Sequence, residues 1–119
     1  MGNILVVDDN EAVRAMTLYM LKRRGFHVIA AESAEEAVHI LADGQTTIDV
    51  LVTDQHMTDG LGTDLAAELR QRFPDLPVLV VSGSSEDVPA LEGRSAFLEK
   101  PFSPDALMQS IQALLAARP

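Results

Sequence analysis

Five groups in this chain could do chemistry together. Asp8 and Asp9 follow the apolar run Ile4-Leu5-Val6-Val7, and Asp54 follows Val50-Leu51-Val52-Thr53. Ser82 follows Val78-Leu79-Val80-Val81, and Lys100 comes shortly after Ala96-Phe97-Leu98. A single Asp after an apolar run is ordinarily a turn former or helix cap. Collected on one edge, the same residues become a site. Converging carboxylates repel, each pair costing about 4 kcal/mol at about 4 Å and an effective dielectric of about 20. Their pKa values must then rise, or a cation must neutralise them. The donors are hard oxygens and the chain has no Cys. That set favours Mg²⁺ or Mn²⁺ over zinc or copper. Mg²⁺ bound by one or two carboxylates is completed by phosphate oxygens, so a phosphoryl ligand fits. The aspartates would supply metal ligands and a nucleophile. Lys100 would supply positive charge to a developing phosphoryl anion, and Ser82 a hydrogen bond to one of its oxygens.

The elements that must position these groups alternate. The apolar runs above, with Phe26-His27-Val28-Ile29-Ala30, give five predicted strands. Three of them are almost continuously apolar and Val-rich, which suggests a parallel sheet covered on both faces. Between them lie segments of helical spacing. Val13, Met16, Met20 and Leu21 form one stripe, stopped by Gly25. Ser33 and Glu36 make a capping-box pattern before Ala37, Ile40 and Leu41, with Gly44 as the stop. Leu65, Ala66 and Leu69 form a third stripe, closed by Pro74. Residues 85–92 carry Pro89 and predict a short or partly mobile fourth helix. Ser103 and Pro104 start the last helix, whose stripe is Leu107, Ile111, Leu114 and Leu115. Right-handed crossovers then place helices on both faces of the sheet. In such folds ligands bind beyond the carboxyl ends of the strands, where the five groups stand.

Composition bounds the reading. A length of 119 residues predicts one domain, 1–119. Hydrophobic residues at 47% and charged residues at 23% exclude a disordered tail. No apolar run is long enough to span a membrane, and the N-terminus lacks the basic region of a signal peptide. The absence of Cys fits a reducing compartment, and a cytoplasmic location is expected. With 18 acidic and 9 basic residues the net charge is −9. Nucleic-acid phosphates and anionic membranes repel such a chain, so direct binding to either is not expected.

The order of these motifs resembles the receiver domain of two-component response regulators, over essentially the whole length. The carriers are Ile-Leu-Val-Val-Asp-Asp (4–9), Val-Thr-Asp-Gln-His-Met (52–57), Val-Val-Ser-Gly (80–83) and Phe-Leu-Glu-Lys-Pro-Phe (97–102). The resemblance implies an α/β, flavodoxin-like three-layer fold, a doubly wound five-stranded parallel sheet of order 2-1-3-4-5. It implies that Asp54 accepts a phosphoryl group from a phosphohistidine on a sensor histidine kinase or histidine phosphotransfer protein. Asp8, Asp9, Asp54 and the backbone carbonyl of His56 would hold Mg²⁺. Ser82 would bond the phosphoryl oxygen and Lys100 would pair with it. Phe97 occupies the aromatic switch position, and the Lys100–Pro101 bond is expected to be cis. His56 and Ser84 stand where side chains tune acyl-phosphate lifetime. The face of the fourth helix, fifth strand and fifth helix would meet a downstream effector or parent-protein domain, or a second copy in a homodimer. Such a domain is a switch, not a conventional turnover enzyme.

Two departures stand out. Where the family usually has Pro four residues after the acceptor Asp, this chain has Thr58, so a more mobile loop is expected. Asp59 adds an anion there and reads as solvated surface rather than a ligand. His27 and His39 have no metal-ligand spacing and read as structural. A Ser82–Lys100 hydrolase conflicts with the acidic cluster. A flavin carrier would need a hydroxyl- and Gly-rich loop where Asp8-Asp9-Asn10 stands, and a haloacid-dehalogenase-like phosphatase would need a second Asp where His56 stands. The rival of another class is a pseudo-receiver, an interaction module that never carries phosphate; intact Asp54, Ser82 and Lys100 speak against it. The receiver pattern uses the whole chain and leaves no effector, so output is expected elsewhere. Residues 116–119 read as an end or the start of a linker.

Overall fold

The computed structural model describes residues 2–116; residues 117–119, where the end or linker was expected, lie outside them. In chain order the elements are β1 (Asn3–Val7), α1 (Glu11–Arg23), β2 (His27–Ala31), α2 (Ala34–Leu41), β3 (Val50–Asp54), β4 (His56–Met57), β5 (Gly60–Leu61), α3 (Gly62–Leu69), β6 (Val78–Ser82), β7 (Ser95–Glu99) and α4 (Pro104–Ala116). Five strands pair in parallel in the order β2-β1-β3-β6-β7. Counting only these five, this is the expected 2-1-3-4-5. The two extra strands, β4 and β5, form a small antiparallel ribbon directly after Asp54.

Strand alternation splits the interior into two cores. Leu5, Val7, Leu51, Val78 and Val80 point to one face, against Ala37 and Leu41 of α2 and Leu65, Ala66 and Leu69 of α3. Ile4, Val6, Val50, Val52, Leu79 and Val81 point to the other, against Leu21 of α1 and Leu107, Met108, Ile111 and Leu114 of α4. Burial on both faces is why the central strands read as unbroken apolar runs.

The helix ends follow their local chemistry. Asn10 caps α1 by accepting the Val13 N–H at 3.0 Å. Ser33 accepts the Glu36 N–H at 3.0 Å, while the Glu36 carboxylate accepts the Glu32 N–H at 3.2 Å, one residue short of a strict capping box. Ser103 accepts the Ala106 N–H at 3.0 Å and Pro104 opens α4 as expected. Gly25 takes the left-handed conformation, φ 91°, that releases the chain from α1.

Two expectations are corrected. The buried face of α1 runs through Thr17 and Leu21, and Met16 is 42% exposed. Thr17 can be interior because its hydroxyl donates to the Val13 carbonyl at 2.9 Å. The fourth helix is not formed: residues 85–92 contain only a 3₁₀ turn at Ser85–Asp87. Pro89 forces the preceding Val88 into extended backbone, and Val88 and Leu91 pack on the α2–α3 core from an irregular segment. Arg70, just past α3, replaces helical hydrogen bonding with side-chain bonds. Its guanidinium donates to the carbonyls of Leu76, Glu92 and Arg94 and to Ser95 Oγ, at 2.9–3.1 Å. An open groove of about 340 Å³ remains between α3 and this segment.

Candidate functional site

Because the sheet is parallel, the carboxyl ends of β1, β3, β6 and β7 share one edge. Asp8 and Asp9 follow β1, Asp54 ends β3, Ser82 ends β6 and Lys100 follows β7. The register makes them neighbours: Val7 pairs with Thr53, Asp54 with Val81, and Ser82 with Glu99. Ligand oxygens of Asp8, Asp9 and Asp54 lie within 4.8 Å of one another. Lys100 Nζ stands 3.3 Å from Asp8 Oδ2 and 3.3 Å from Asp54 Oδ1.

Each group is held differently. Asp8 is 5% exposed; its Oδ1 accepts the Asn10 N–H at 2.9 Å, and Arg14 donates to its carbonyl at 2.9 Å. Asp9 lies outward, with Oδ2 accepting both the N–H and the hydroxyl of Thr58. The Asp54 side chain is 12% exposed. Ser82 is buried, and its carbonyl accepts the Lys100 N–H at 2.8 Å, which ties the ends of β6 and β7 together. The Lys100–Pro101 bond is cis, as expected.

The electrostatics are unbalanced. Burial raises the Asp54 pKa above its ordinary value; Lys100 opposes this, and Asp8 and Asp9 push it further up. One ammonium therefore does not satisfy three carboxylates. The excess charge and the all-oxygen donor set fit a hard divalent cation of the Mg²⁺ type, which retains several waters.

The remaining expected site residues sit at the margins. His56 opens β4 with its imidazole exposed, Nε2 3.7 Å from Asp87 Oδ2. Phe97 is half-buried in β7, paired in register with Val80. Asp59 is not at the cluster. Its carboxylate accepts the Ala34 and Glu35 N–H groups at 3.2 and 3.0 Å, capping α2 from a distant loop. The loop expected to be mobile is thus a ribbon tethered on both sides, by Thr58 to Asp9 and by Asp59 to α2.

Two residues at the edge carried no readable signal. Gln55, fully buried, accepts the Thr63 N–H and donates to Thr63 Oγ1 and to the Asp87 carbonyl. Gly62 opens α3 against the β3 end, where a Cβ would collide with the Asp54 carbonyl oxygen.

The response regulator receiver domain model matches residues 4–112. The sensor kinase CckA of Brucella abortus is 35% identical over 96% of this chain, which spans 12% of that protein. The chemotaxis protein CheY1 of Helicobacter pylori is 33% identical, with 94% of this chain and 95% of that protein covered. Among solved structures, the receiver domain of the hybrid histidine kinase CckA superposes with a TM-score of 0.82 at 32% identity, covering 96% of this chain and 99% of that one. TrrA of Thermotoga maritima, in complex with Mg(2+)-BeF, gives a TM-score of 0.84 at 26% identity, covering 97% and 100%. With the sheet order, the acidic edge and Lys100 already in place, these matches settle the family: the chain belongs to the response regulator receiver domains.

Proposed function

We propose that this receiver takes a phosphoryl group onto Asp54 from a phosphohistidine on a sensor histidine kinase or histidine phosphotransfer protein. The observation that carries the reading is Lys100 Nζ, 3.3 Å from both Asp54 Oδ1 and Asp8 Oδ2, at the rim of the three-carboxylate cluster. The likeness to a receiver solved with Mg(2+)-BeF adds support for the metal.

In the proposed reaction an Asp54 carboxylate oxygen attacks phosphorus and the P–N bond to the donor imidazole breaks. The imidazole nitrogen leaves with the bonding pair and takes up a proton. Asp8, Asp9, Asp54 and the His56 carbonyl would hold Mg²⁺, which would supply positive charge to the phosphoryl oxygens. Lys100 exchanges its hold on Asp54 for the phosphoryl oxygens, a preformed positive charge where negative charge gathers. Partial burial and the 3.3 Å contact with Lys100 restrict the orientation of the Asp54 carboxylate, which favours its attack on a positioned phosphoryl group.

The acyl phosphate then adds charge, roughly one negative unit by analogy with phosphorylated hydroxyls. Ser82 moves toward it, and Phe97 turns into the space vacated. The partner face that responds is built from the irregular segment 83–94, β7 and α4, with no fourth helix in it. Partners on that face are a downstream effector, a parent-protein domain or a second copy. We place the domain in the cytoplasm; among the described residues no helix is long and apolar enough to cross a membrane.

The test is intact mass after incubation with acetyl phosphate and Mg²⁺. The native chain gains one phosphoryl group and Asp54→Asn gains none. Labelling of Asp54→Asn at a comparable rate refutes the assignment. No labelling of the native chain by acetyl phosphate or any kinase returns the pseudo-receiver.

A further inference from the structure

Thr58 makes an unusual double contact. Its backbone N–H and its side-chain hydroxyl both donate to Asp9 Oδ2, at 2.9 Å each, across 49 residues of sequence. A carboxylate oxygen offers about two acceptor sites, so Oδ2 is filled and Oδ1 is left unengaged. Among the described residues these are the only hydrogen bonds to the Asp9 carboxylate. Asp9 is the exposed member of the cluster, whereas Asp8 is fixed by burial, Asn10 and Lys100. Without Thr58, Asp9 would sample several rotamers and would have to be ordered when a cation binds.

Thr58 can impose this geometry because its own position is fixed. It sits between β4 and β5, and the next residue, Asp59, is bonded to two N–H groups in the first turn of α2. The chain Asp9–Thr58–Asp59–α2 therefore links the outermost carboxylate of the cluster to a packed helix.

We propose that Thr58 is a positioning residue for the divalent cation, holding the Asp9 carboxylate beside Asp8 and Asp54 with one oxygen free. The inference rests on the proposed Mg²⁺ site. It assigns Thr58 a part that proline could not play, since proline has neither the N–H nor the hydroxyl. Outer partners of metal-bound carboxylates commonly contribute about 10–100-fold to affinity. At this exposed position the low end of that range is expected.

The experiment is isothermal titration of the metal-free protein with MgCl₂, with melting curves in EDTA as the measure of folding. Thr58→Ser keeps both donors and should bind like the parent. Thr58→Val keeps shape and N–H but loses the hydroxyl, and should bind about threefold more weakly; Thr58→Pro loses both donors and should bind about tenfold more weakly. The ordering Ser, Val, Pro, without a parallel order in EDTA melting temperature, supports the proposal. Equal or tighter binding by Thr58→Val, or weakening by Thr58→Ser as large as by Thr58→Val, overturns it. Absence of Mg²⁺ binding by the parent overturns the metal site itself, a result distinct from either.

Discussion

The Gln55 side-chain amide donates to the Asp87 backbone carbonyl at 3.2 Å, joining the residue after Asp54 to the 3₁₀ turn that stands in for a helix. The same carboxamide exchanges two bonds with Thr63 at the start of α3. One fully buried side chain thus connects the end of β3, α3 and the segment beyond β6. Gln55→Ala removes three hydrogen bonds, strands the Thr63 N–H and opens a cavity. It should destabilise the fold by about 2–4 kcal/mol. Hydrogen exchange should quicken first in residues 84–94, with the central strands protected; uniform quickening would contradict a local link.

Charging Asp54 costs more in the folded chain than in the unfolded one. Burial raises its pKa in the folded state above the ordinary 3.8. The folded chain therefore binds the proton more tightly than the unfolded chain. That stabilisation is complete below about pH 3.8 and is lost as pH rises through the folded-state value. In EDTA near pH 7, Asp54→Asn should melt above the parent, and the gap should close as pH falls below about 4. Thermal scans across that range check it, and equal melting near neutrality would contradict the electrostatic account.

The doubly wound sheet and the acidic edge were legible in the sequence because they rest on local patterns. Val-rich runs buried on both faces, Ser33, Ser103 and Pro104 at helix starts, and polar residues at strand ends all speak through neighbours in sequence. What was not legible depends on side chains meeting across the fold. Thr58, standing where the family usually has Pro, suggested a looser loop, and its bonds to Asp9, 49 residues away, leave no trace among its sequence neighbours. Asp59 is exposed and outside the cluster, as read, but its capping of α2 was not legible because the N–H groups it accepts lie 24 and 25 residues upstream. The fourth helix was overestimated because Pro89 dictates extended backbone at Val88, while Arg70, far upstream, supplies the bonds that make an irregular segment tenable.

Gly62 sets how closely α3 approaches the end of β3. Its N–H donates to the Gln55 carbonyl at 2.8 Å. An added Cβ would meet the Asp54 carbonyl oxygen, a backbone atom that cannot rotate away, and Thr53 Oγ1 at 2.9 Å. Gly62→Ala should therefore displace α3 from the strand end and destabilise the chain by about 3 kcal/mol. Denaturant titration measures the loss. A change below about 0.5 kcal/mol would mean that the contact relaxes freely.

Asp59 gives a pH dependence of the opposite sign to Asp54. The Glu35 and Ala34 N–H groups hold its carboxyl below the ordinary 3.8, as an anion at the N-terminus of α2. The unfolded chain binds this proton more tightly. The stabilisation is therefore present above pH 3.8 and lost as pH falls through the folded-state value. The group is exposed, so Asp59→Ala should cost no more than about 1 kcal/mol near neutrality. That deficit should shrink as the pH drops below 3.8. Because Asp59 also anchors Thr58, the same variant should weaken Mg²⁺ binding near neutrality, while Asp43→Ala, at another exposed carboxylate held by loop hydrogen bonds, should not. Melting curves against pH and a Mg²⁺ titration separate the two effects. A Mg²⁺ affinity unchanged by Asp59→Ala would uncouple the ribbon from the proposed metal site.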